Sequence, residues 1–367
     1  MILLDPKDVL TRQLPTLARA MGLEDRTVLI DPLLAPVSLN LFDKGDGSPG
    51  AIHNTISRLI RVMNTITLDL QPFQRDTLAL AIEALFALSD TPSFEQLFPI
   101  LRDGKKGIDL DLLPADLRDV FEHDYRDNEG RYVVSRLNTF RRNPYFKPLV
   151  MGTAPPFDLL AKIQEGNLIL IKAGTSEPLY GKIWIEQIDR IIDQRFDIPE
   201  EDRTETFVII DEAQIFIGDP HSEHFADILD RAREAKISMF VACQHMDQIK
   251  SAHVRASLYN SALKFIAKTN ADLHDLSRSM VGEVDANTFR NIPLHHFLFC
   301  SPDSEDSELI KVPEIKYPRW KWEDVRYFHK RAAPQPEKAT YTPPPTQPLP
   351  QEETPAVPTT PQRKKFK

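Results

Sequence analysis

Cysteine, long apolar runs and net positive charge are scarce in this 367-residue sequence, and each scarcity excludes a class of protein. The two cysteines, Cys243 and Cys300, are flanked by apolar residues, which is typical of buried thiols in a reducing cytosol rather than of a disulfide framework. No apolar run approaches the roughly 18 residues that span a bilayer. The net charge of −9 excludes a protein that coats nucleic acid through overall basic charge, so any such contact must be local.

The sequence also lacks the G-x-x-x-x-G-K-[ST] loop with which many nucleotide hydrolases bind phosphates. Residues 173–183, AGTSEPLYGKI, contain two glycines before a lysine, but the glycines are too far apart and Ile183 stands where Ser or Thr should follow the lysine. Residues 102–107, RDGKKG, have no predicted strand before them. Neither segment fits, so this chain contains no conventional phosphate loop.

The most informative feature that is present is a short apolar run that ends in two acids. In TFVIIDEAQIF, residues 206–216, four apolar residues lead directly into Asp211 and Glu212. This pattern predicts a buried parallel strand that delivers two carboxylates to the carboxyl edge of a sheet, where open α/β sheets bind ligands. In nucleotide hydrolases such acids hold the Mg²⁺ shell and orient or deprotonate the attacking water. The alternative is that both acids only favour the N-terminus of the next helix.

Three further polar residues are candidates for the same site. Gln244 ends the next predicted strand, ISMFVACQ, where an amide could sense the γ-phosphate or position water. Arg233 precedes that strand and Arg255 follows it, and either could reach a nucleotide on a neighbouring subunit. For each arginine taken singly, a salt bridge on a helix surface is the simpler interpretation.

Apolar periodicity divides the chain into an α/β part, a helical insertion and a polar tail. Residues 1–42 and 151–331 predict a mostly parallel, doubly wound sheet flanked by helices. Residues 43–150 show helical periods without a convincing strand, so we expect an inserted all-α domain. Residues 332–367 are rich in Pro, Thr, Gln and Glu and are predicted to be disordered. The predicted strands lie at 1–5, 26–31, 167–174, 206–212, 237–244, 262–268 and 295–302.

Other polar motifs have simple structural interpretations. RWKWEDVRYFHKR, residues 319–331, interleaves aromatic and basic side chains, which could contact single-stranded DNA. We favour a terminal helix that packs its aromatic side chains on the sheet. His295 and His296 have no partners at metal-ligand spacing, and the final RKKFK predicts a solvated tail.

Three segments resemble the HerA/FtsK superfamily of ring-forming P-loop ATPases, in particular the type IV secretion coupling proteins of the TraG/TraD kind. They are FVIIDEAQ, DILDRAREAKISMFVACQHMDQI and VRASLYNSALKFIAKTNADLHDLSRSM. The resemblance covers residues 1–312. It matches Asp211 and Glu212 to the Walker B acids and Gln244 to the sensor glutamine, and it implies that Arg255 or Arg233 reaches across a subunit interface. It also places the all-α insertion where coupling proteins carry their helical domain.

The resemblance implies a RecA-like sheet without its first strand and phosphate loop, in an ATP-driven DNA translocase. ATP and Mg²⁺ are the implied cofactors, with Asp211 on the metal and Gln244 on the nucleotide. The implied partners are DNA, further copies of the chain in a hexameric ring or else a phosphate-loop-bearing chain, and secretion or relaxosome proteins that bind the all-α domain. The implied location is the cytoplasm or the periphery of the inner membrane.

Several explanations of the missing loop remain open. They are a reading frame that starts late or is split, a separate polypeptide that supplies the loop, and a degenerate relative that no longer hydrolyses ATP. In the last case it would be a non-catalytic interaction protein. A phage DNA-packaging motor also has a strand that ends in acids, but no acid-rich nuclease segment follows the ATPase part here.

Overall fold

The centre of the computed structural model is a five-stranded sheet in which every strand pair is parallel. The structure describes residues 1–67, 70–151, 156–174, 178–220, 222–282, 284–314 and 318–332, so residues 333–367 of the predicted tail lie outside it. The strands are β1 (Ile2–Asp5), β2 (Thr27–Ile30), β3 (Leu168–Lys172), β4 (Thr206–Ile210) and β5 (Ile237–Val241). Their order is β2-β3-β1-β4-β5, which confirms the predicted mostly parallel α/β fold.

The register of β1 aligns the carboxyl ends of the strands. Leu4 is opposite Ile171 of β3 on one side and opposite Ile210 of β4 on the other. All four residues of β1 are buried, as expected for a central strand of a parallel sheet. Because the strands run the same way, the residues that follow them collect at one edge, where open sheets of this kind bind ligands.

Fifteen α-helices, together with loops and turns, connect the strands in the described part of the chain. In chain order they are α1 (Leu10–Ala20), α2 (Pro49–Thr67), α3 (Pro72–Leu88), α4 (Phe94–Asp103), α5 (Ala115–Asp124), α6 (Asp127–Arg142), α7 (Lys147–Met151), α8 (Leu159–Gln164), α9 (Pro178–Phe196), α10 (Gln214–Ile217), α11 (His224–Ala232), α12 (Ala252–Tyr259), α13 (Leu273–Ser279), α14 (Ala286–Arg290) and α15 (Trp322–Ala332). Within the described residues, no helix has both the length and the apolar character to cross a bilayer.

The insertion between β2 and β3 consists of helices α2 to α7, and its described residues contain no strand. Its buried side chains, among them Leu78 and Phe121, belong to the same apolar cluster as Leu4 and Ile210 of the sheet. The core is therefore continuous from the sheet into the helices. The limits of a separate all-α domain at 43 and 150 remain a prediction.

The last three strands form a second, antiparallel sheet and do not extend the main sheet. They are β6 (Lys264–Ile266), β7 (His296–Cys300) and β8 (Glu308–Lys311), in that order. The sequence analysis predicted β6 and β7 but missed β8. A short loop joins β7 directly to β8, which permits only antiparallel pairing because a parallel pair needs a long crossover. This sheet packs on its own small core around Phe289, Leu298 and Cys300.

Helix α15 packs on the main sheet, as predicted for residues 319–331. Val325 and Phe328 are buried with Leu3, Leu29 and Leu170 of the sheet. Trp320 and Trp322, outside this contact, stay about two-fifths exposed, at 42% and 41%. The aromatic residues of this segment are thus divided between the core and the surface.

Candidate functional site

The carboxyl ends of β4 and β5 form the candidate site. Backbone pairing continues beyond the strands, because the Ala242 amide donates to Ile210 at 3.0 Å and the Ala213 amide donates to Ala242 at 2.8 Å. This extension holds the turn after β4 against the turn after β5. Glu212 on the first turn therefore faces Gln244 on the second, and Asp211 lies near Glu212 and Asp5.

Glu212 is the centre of the site and accepts hydrogen bonds from three side chains. Gln244 Nε2 lies 2.8 Å from each of its carboxylate oxygens. Gln214 Nε2 lies 2.5 Å from Oε2, and Lys7 Nζ lies 2.5 Å from Oε1. The predicted meeting of Glu212 and Gln244 at one edge of the sheet is therefore observed.

The backbone of Glu212 adopts a conformation that is unusual for its residue type. Its φ is +46°, in the left-handed region that side chains other than glycine rarely occupy. Such a conformation costs energy and persists only where the surroundings fix it. Here the strand pairing on both sides and the three donors to the carboxylate fix it.

The two neighbouring acids have pKa values shifted in opposite directions. Burial raises the pKa of Asp211, and the charges of Asp5 and Glu212 raise it further. Partial burial also acts to raise the pKa of Glu212, but the hydrogen bonds from Lys7, Gln244 and Gln214 outweigh it and lower that pKa overall. Neighbouring acids with opposite shifts are typical of sites in which each has its own task.

Asp211 has the environment of a ligand to hydrated Mg²⁺. Its carboxylate is half-buried, and among the described residues no side-chain donor hydrogen-bonds to it. Carboxylate oxygens are the ligands that Mg²⁺ prefers, and Mg²⁺ usually keeps several waters. The donor set of Asp211 with the nearby Glu212 fits this metal.

Lys7 and Gln214 belong to the site but were missed in the sequence analysis. Lys7 follows β1, and only the strand order, which sets β1 beside β4, brings it to Glu212. Nothing in the sequence gives that order. Gln214 lies two residues beyond Glu212, and its side chain reaches back to that carboxylate across the turn. Only a prediction of this turn could have indicated the contact from the sequence.

The second lysine at this edge of the sheet is already paired. Lys172 Nζ, at the end of β3, lies 3.1 Å from both Asp31 and Asp8. Lys7, just after β1, is likewise paired with Glu212. Acids therefore hold both lysines at the carboxyl ends of β1 and β3. Neither takes the place of the lysine in a phosphate loop.

The two candidate arginines lie apart from the acids. The Arg255 guanidinium donates to the backbone carbonyls of Ile249 and Lys250, at 2.5 and 3.2 Å, and it lines a cleft of about 770 Å³ with Lys264. Arg233 is exposed just after α11. Neither is in contact with Asp211 or Glu212 within the described part of the chain, so a role for either requires a second subunit.

A separate acidic group lies between the insertion and α9. The ligand atoms of Glu186, Asp189 and His224 lie within 4.8 Å of one another. Arg61 Nη2 is 3.0 Å from Asp189, His224 Nε2 is 2.9 Å from it, and Arg231 is paired with it as well. Since cations already surround Asp189, we interpret this group as an ion-pair network that joins α2 to α9 and α11.

Comparison with solved structures finds a similar fold in a plasmid coupling protein, TrwB, and in VirB4. The plasmid coupling protein TrwB in complex with ADP and Mg²⁺ matches with a TM-score of 0.58 at 16% identity, over 87% of this chain and 79% of that one. Unbound TrwB matches with a TM-score of 0.58 at 15% identity, over 86% of this chain and 78% of that one. VirB4 of Thermoanaerobacter pseudethanolicus matches with a TM-score of 0.52 at 17% identity, over 86% of this chain and 81% of that one.

No protein-family model and no curated protein matches the sequence. At identities this low, the likeness to solved structures shows a shared fold. At the level of the fold, it confirms the resemblance to coupling proteins that the sequence indicated.

Proposed function

We propose that this chain provides the acid-bearing part of an ATP-hydrolysing site in a coupling ATPase of the type IV secretion kind. The observation that carries the proposal is the convergence of Asp211, Glu212 and Gln244 at the carboxyl edge of a parallel sheet. The fold likeness to TrwB, which has been solved with ADP and Mg²⁺ and with an ATP analogue, supports it.

Each residue has a role that suits its surroundings. Asp211 holds the hydrated Mg²⁺, which neutralises charge on the phosphates when it is bound. Glu212 orients and deprotonates the attacking water, and Gln244 hydrogen-bonds to the γ-phosphate. Because Gln244 Nε2 donates to both carboxylate oxygens of Glu212, a hydrogen bond from Gln244 to the γ-phosphate takes a donor away from the base, which links phosphate binding to the state of Glu212.

Lys7 sets the strength of that base. While Lys7 and Gln244 donate to Glu212 its pKa is lowered, which makes it a poor proton acceptor. The Lys7 side chain is 42% exposed and is paired with the carboxylate. When Gln244 turns to an anionic substrate, Glu212 loses one of its donors and becomes a stronger base, so substrate binding and activation of water are coupled.

The remaining parts of the proposal rest on the resemblance and on the fold likeness. The assembled enzyme is a homo-oligomeric ring that moves DNA, and Arg255 or Arg233 of one subunit reaches the nucleotide of the next. The helical insertion binds secretion or relaxosome proteins. The protein works in the cytoplasm or at the periphery of the inner membrane.

A second candidate function is a non-catalytic assembly partner with the same fold. The observation that favours it is the lack of a phosphate loop in the sequence, together with the engagement of Lys7 and Lys172 by acids. Acids without a cation between them and the phosphates repel a nucleotide.

ATP hydrolysis separates the two functions. The protein is purified from its native host under mild conditions, so that any associated phosphate-loop segment is retained, and phosphate release is measured with Mg²⁺. Glu212→Gln is expected to lower the rate by about 10²- to 10⁴-fold, the usual contribution of a general base. Glu205→Gln, an exposed acid just before β4, should keep it. No ATP binding at millimolar nucleotide would establish the assembly partner.

A further inference from the structure

The side-chain amide of Gln214 contacts Glu212 at a cost to the fold. Its Nε2 lies 2.5 Å from Glu212 Oε2, while its own oxygen, Oε1, is buried and accepts no hydrogen bond in the described part of the chain. A buried acceptor without a donor destabilises a fold, so each such group in a native protein requires an explanation. The stability of the fold does not explain this contact.

Glu212 determines which end of the amide is left unpaired. If the amide were reversed, Oε1 of Gln214 would face the Glu212 carboxylate, and two acceptors would repel each other. The nitrogen must therefore face the carboxylate, which leaves Oε1 without a donor among the described residues. The amide is oriented for the benefit of Glu212.

The single-turn helix α10, which begins at Gln214, is fixed on two sides. On one side the ring of Phe216, 1% exposed, packs so closely on α9 that a Cβ at Gly181 would lie 2.3 Å from it. On the other side the Lys250 amide donates to the Gly218 carbonyl at 3.1 Å. Gln214 therefore projects from an element that is held both by α9 and by the chain that follows β5.

The other two donors to Glu212 are less firmly held. Gln244 is exposed and, in the proposed function, turns to the γ-phosphate. The Lys7 side chain is 42% exposed, and an exposed ion pair between long side chains fixes their geometry only weakly. Gln214 is thus the donor that stays in place when the substrate binds.

We infer that Gln214 is a positioning residue, which keeps the Glu212 carboxylate directed at the attacking water while Gln244 is engaged by phosphate. Gln214 acts through Glu212 and does not itself touch the substrate. A carboxylate without this donor is free to rotate, and a displacement of about 1 Å in a reacting group can cost roughly 100-fold in rate. This role rests on the proposed function, because only the hydrolytic reaction requires an oriented base.

Gln214→Met tests the inference, because methionine has nearly the length of glutamine but lacks the amide donor and acceptor. The matched control is Gln248→Met, which changes an exposed amide in the chain that follows β5. In the protein purified with its partners, Gln214→Met should lower kcat for ATP hydrolysis by about 10- to 100-fold. KM should stay within about twofold, because binding of the ground state is intact. The control should keep both constants.

The melting temperature separates a positioning role from a structural one. Removal of a buried, unpaired oxygen should leave the melting temperature of Gln214→Met unchanged or raise it. A kcat equal to that of the wild type would overturn the inference. A loss of activity together with a lower melting temperature would also overturn it, since Gln214 would then be a structural residue.

Gln214→Glu separates the donor from the shape of the side chain. This substitution keeps the length of the side chain but replaces the donating nitrogen by an oxygen of a carboxylate, which repels Glu212. We expect kcat to fall at least as far as in Gln214→Met. Full activity of Gln214→Glu would show that the hydrogen bond is not needed and would overturn the inference.

Crystal structures without nucleotide provide a measurement that is independent of the proposed function. In Gln214→Met we expect the Glu212 carboxylate to be displaced from its wild-type position or to occupy more than one conformer, with the backbone unchanged. A single, unmoved conformer would overturn the inference, even in a protein that hydrolyses ATP. A displaced carboxylate in a protein whose wild type does not hydrolyse ATP would support the positioning of Glu212 and contradict the ATPase.

Discussion

Gln244 Nε2 lies 2.8 Å from both carboxylate oxygens of Glu212, although the two residues are 32 positions apart in the sequence. The contact exists because β4 and β5 are neighbours and their pairing continues to Ala242 and Ala213. A change at position 244 should therefore be detected at position 212 without any nucleotide present.

Gln244→Ala is expected to raise the pKa of Glu212, because the substitution removes one of the donors that lower it. The pKa is measured from the side-chain carboxyl ¹³C resonance of Glu212 across a pH titration. Gln248→Ala, which removes an exposed amide four residues away, should leave it unchanged. An equal pKa in the wild type and in Gln244→Ala would show that the contact is not formed in solution.

The same variant has a defined effect on stability. A carboxyl whose pKa is lowered in the folded state stabilises the fold above its unfolded pKa, and the contribution is lost as the pH falls through the folded value. Gln244→Ala should thus lower the free energy of unfolding by about 0.5 kcal/mol or less at pH 7, because the hydrogen bond is exposed to solvent. The difference from the wild type should shrink in acid. A pH-independent difference would contradict this account.

Asp211→Asn is expected to stabilise the protein in the absence of metal. Burial and the charges of Asp5 and Glu212 raise the pKa of Asp211, so stability conferred by its protonated form is lost as the pH rises from its unfolded to its folded pKa. Removing the charge at pH 7 should increase the free energy of unfolding by about 0.5–1 kcal/mol, because the half-buried side chain then no longer repels Asp5 and Glu212. Thermal unfolding with and without Mg²⁺ measures this.

The metal dependence supplies the control for that prediction. Mg²⁺ should raise the melting temperature of the wild type and leave Asp211→Asn unchanged, because ligand binding stabilises only the protein that can bind. A destabilised Asp211→Asn, or an equal response of both proteins to Mg²⁺, would assign Asp211 a purely structural role.

The position of the acids could be predicted from the sequence because the signal is local. Residues Phe207 to Ile210 form a short apolar run that is typical of a strand of a parallel sheet, and the acids follow at once. The sequence did not indicate that Phe207 would be 46% exposed. The amide at 244 could be predicted from the next strand and from the resemblance. Their meeting followed from a general property of parallel sheets, whose carboxyl ends share an edge.

The features that were missed depend on relationships between distant segments. Lys7 joins the site only because β1 lies beside β4, and no local pattern encodes that neighbour. The pairing of β6 with β7, which are separated in the chain by α13 and α14, likewise depends on distant segments. Strand β8 has only four residues, Glu308–Lys311, and follows an acidic stretch, so its apolar signal was too short to detect.

Phe328→Ala is expected to destabilise the fold by about 3–5 kcal/mol, the usual result of truncating a buried phenylalanine. Phe328 is 1% exposed and fills the contact between α15 and the sheet. Denaturant unfolding measures the change, with Trp320→Ala, at a 42% exposed position, as the control with an effect below about 1 kcal/mol. Equal effects of the two substitutions would mean that α15 does not pack on the sheet as described.

The location of the nucleotide's metal tests the central claim most directly. Fe²⁺ replaces Mg²⁺ with ATP in the protein purified with its partners, and ascorbate with peroxide then generates radicals that cut the backbone next to the ion. The account predicts cleavage beside Asp211 and near Gln244, suppressed by excess Mg²⁺ and absent from Asp211→Asn. Cleavage at the Glu186–Asp189–His224 group instead, or ATP-dependent cleavage that survives Asp211→Asn, would contradict it.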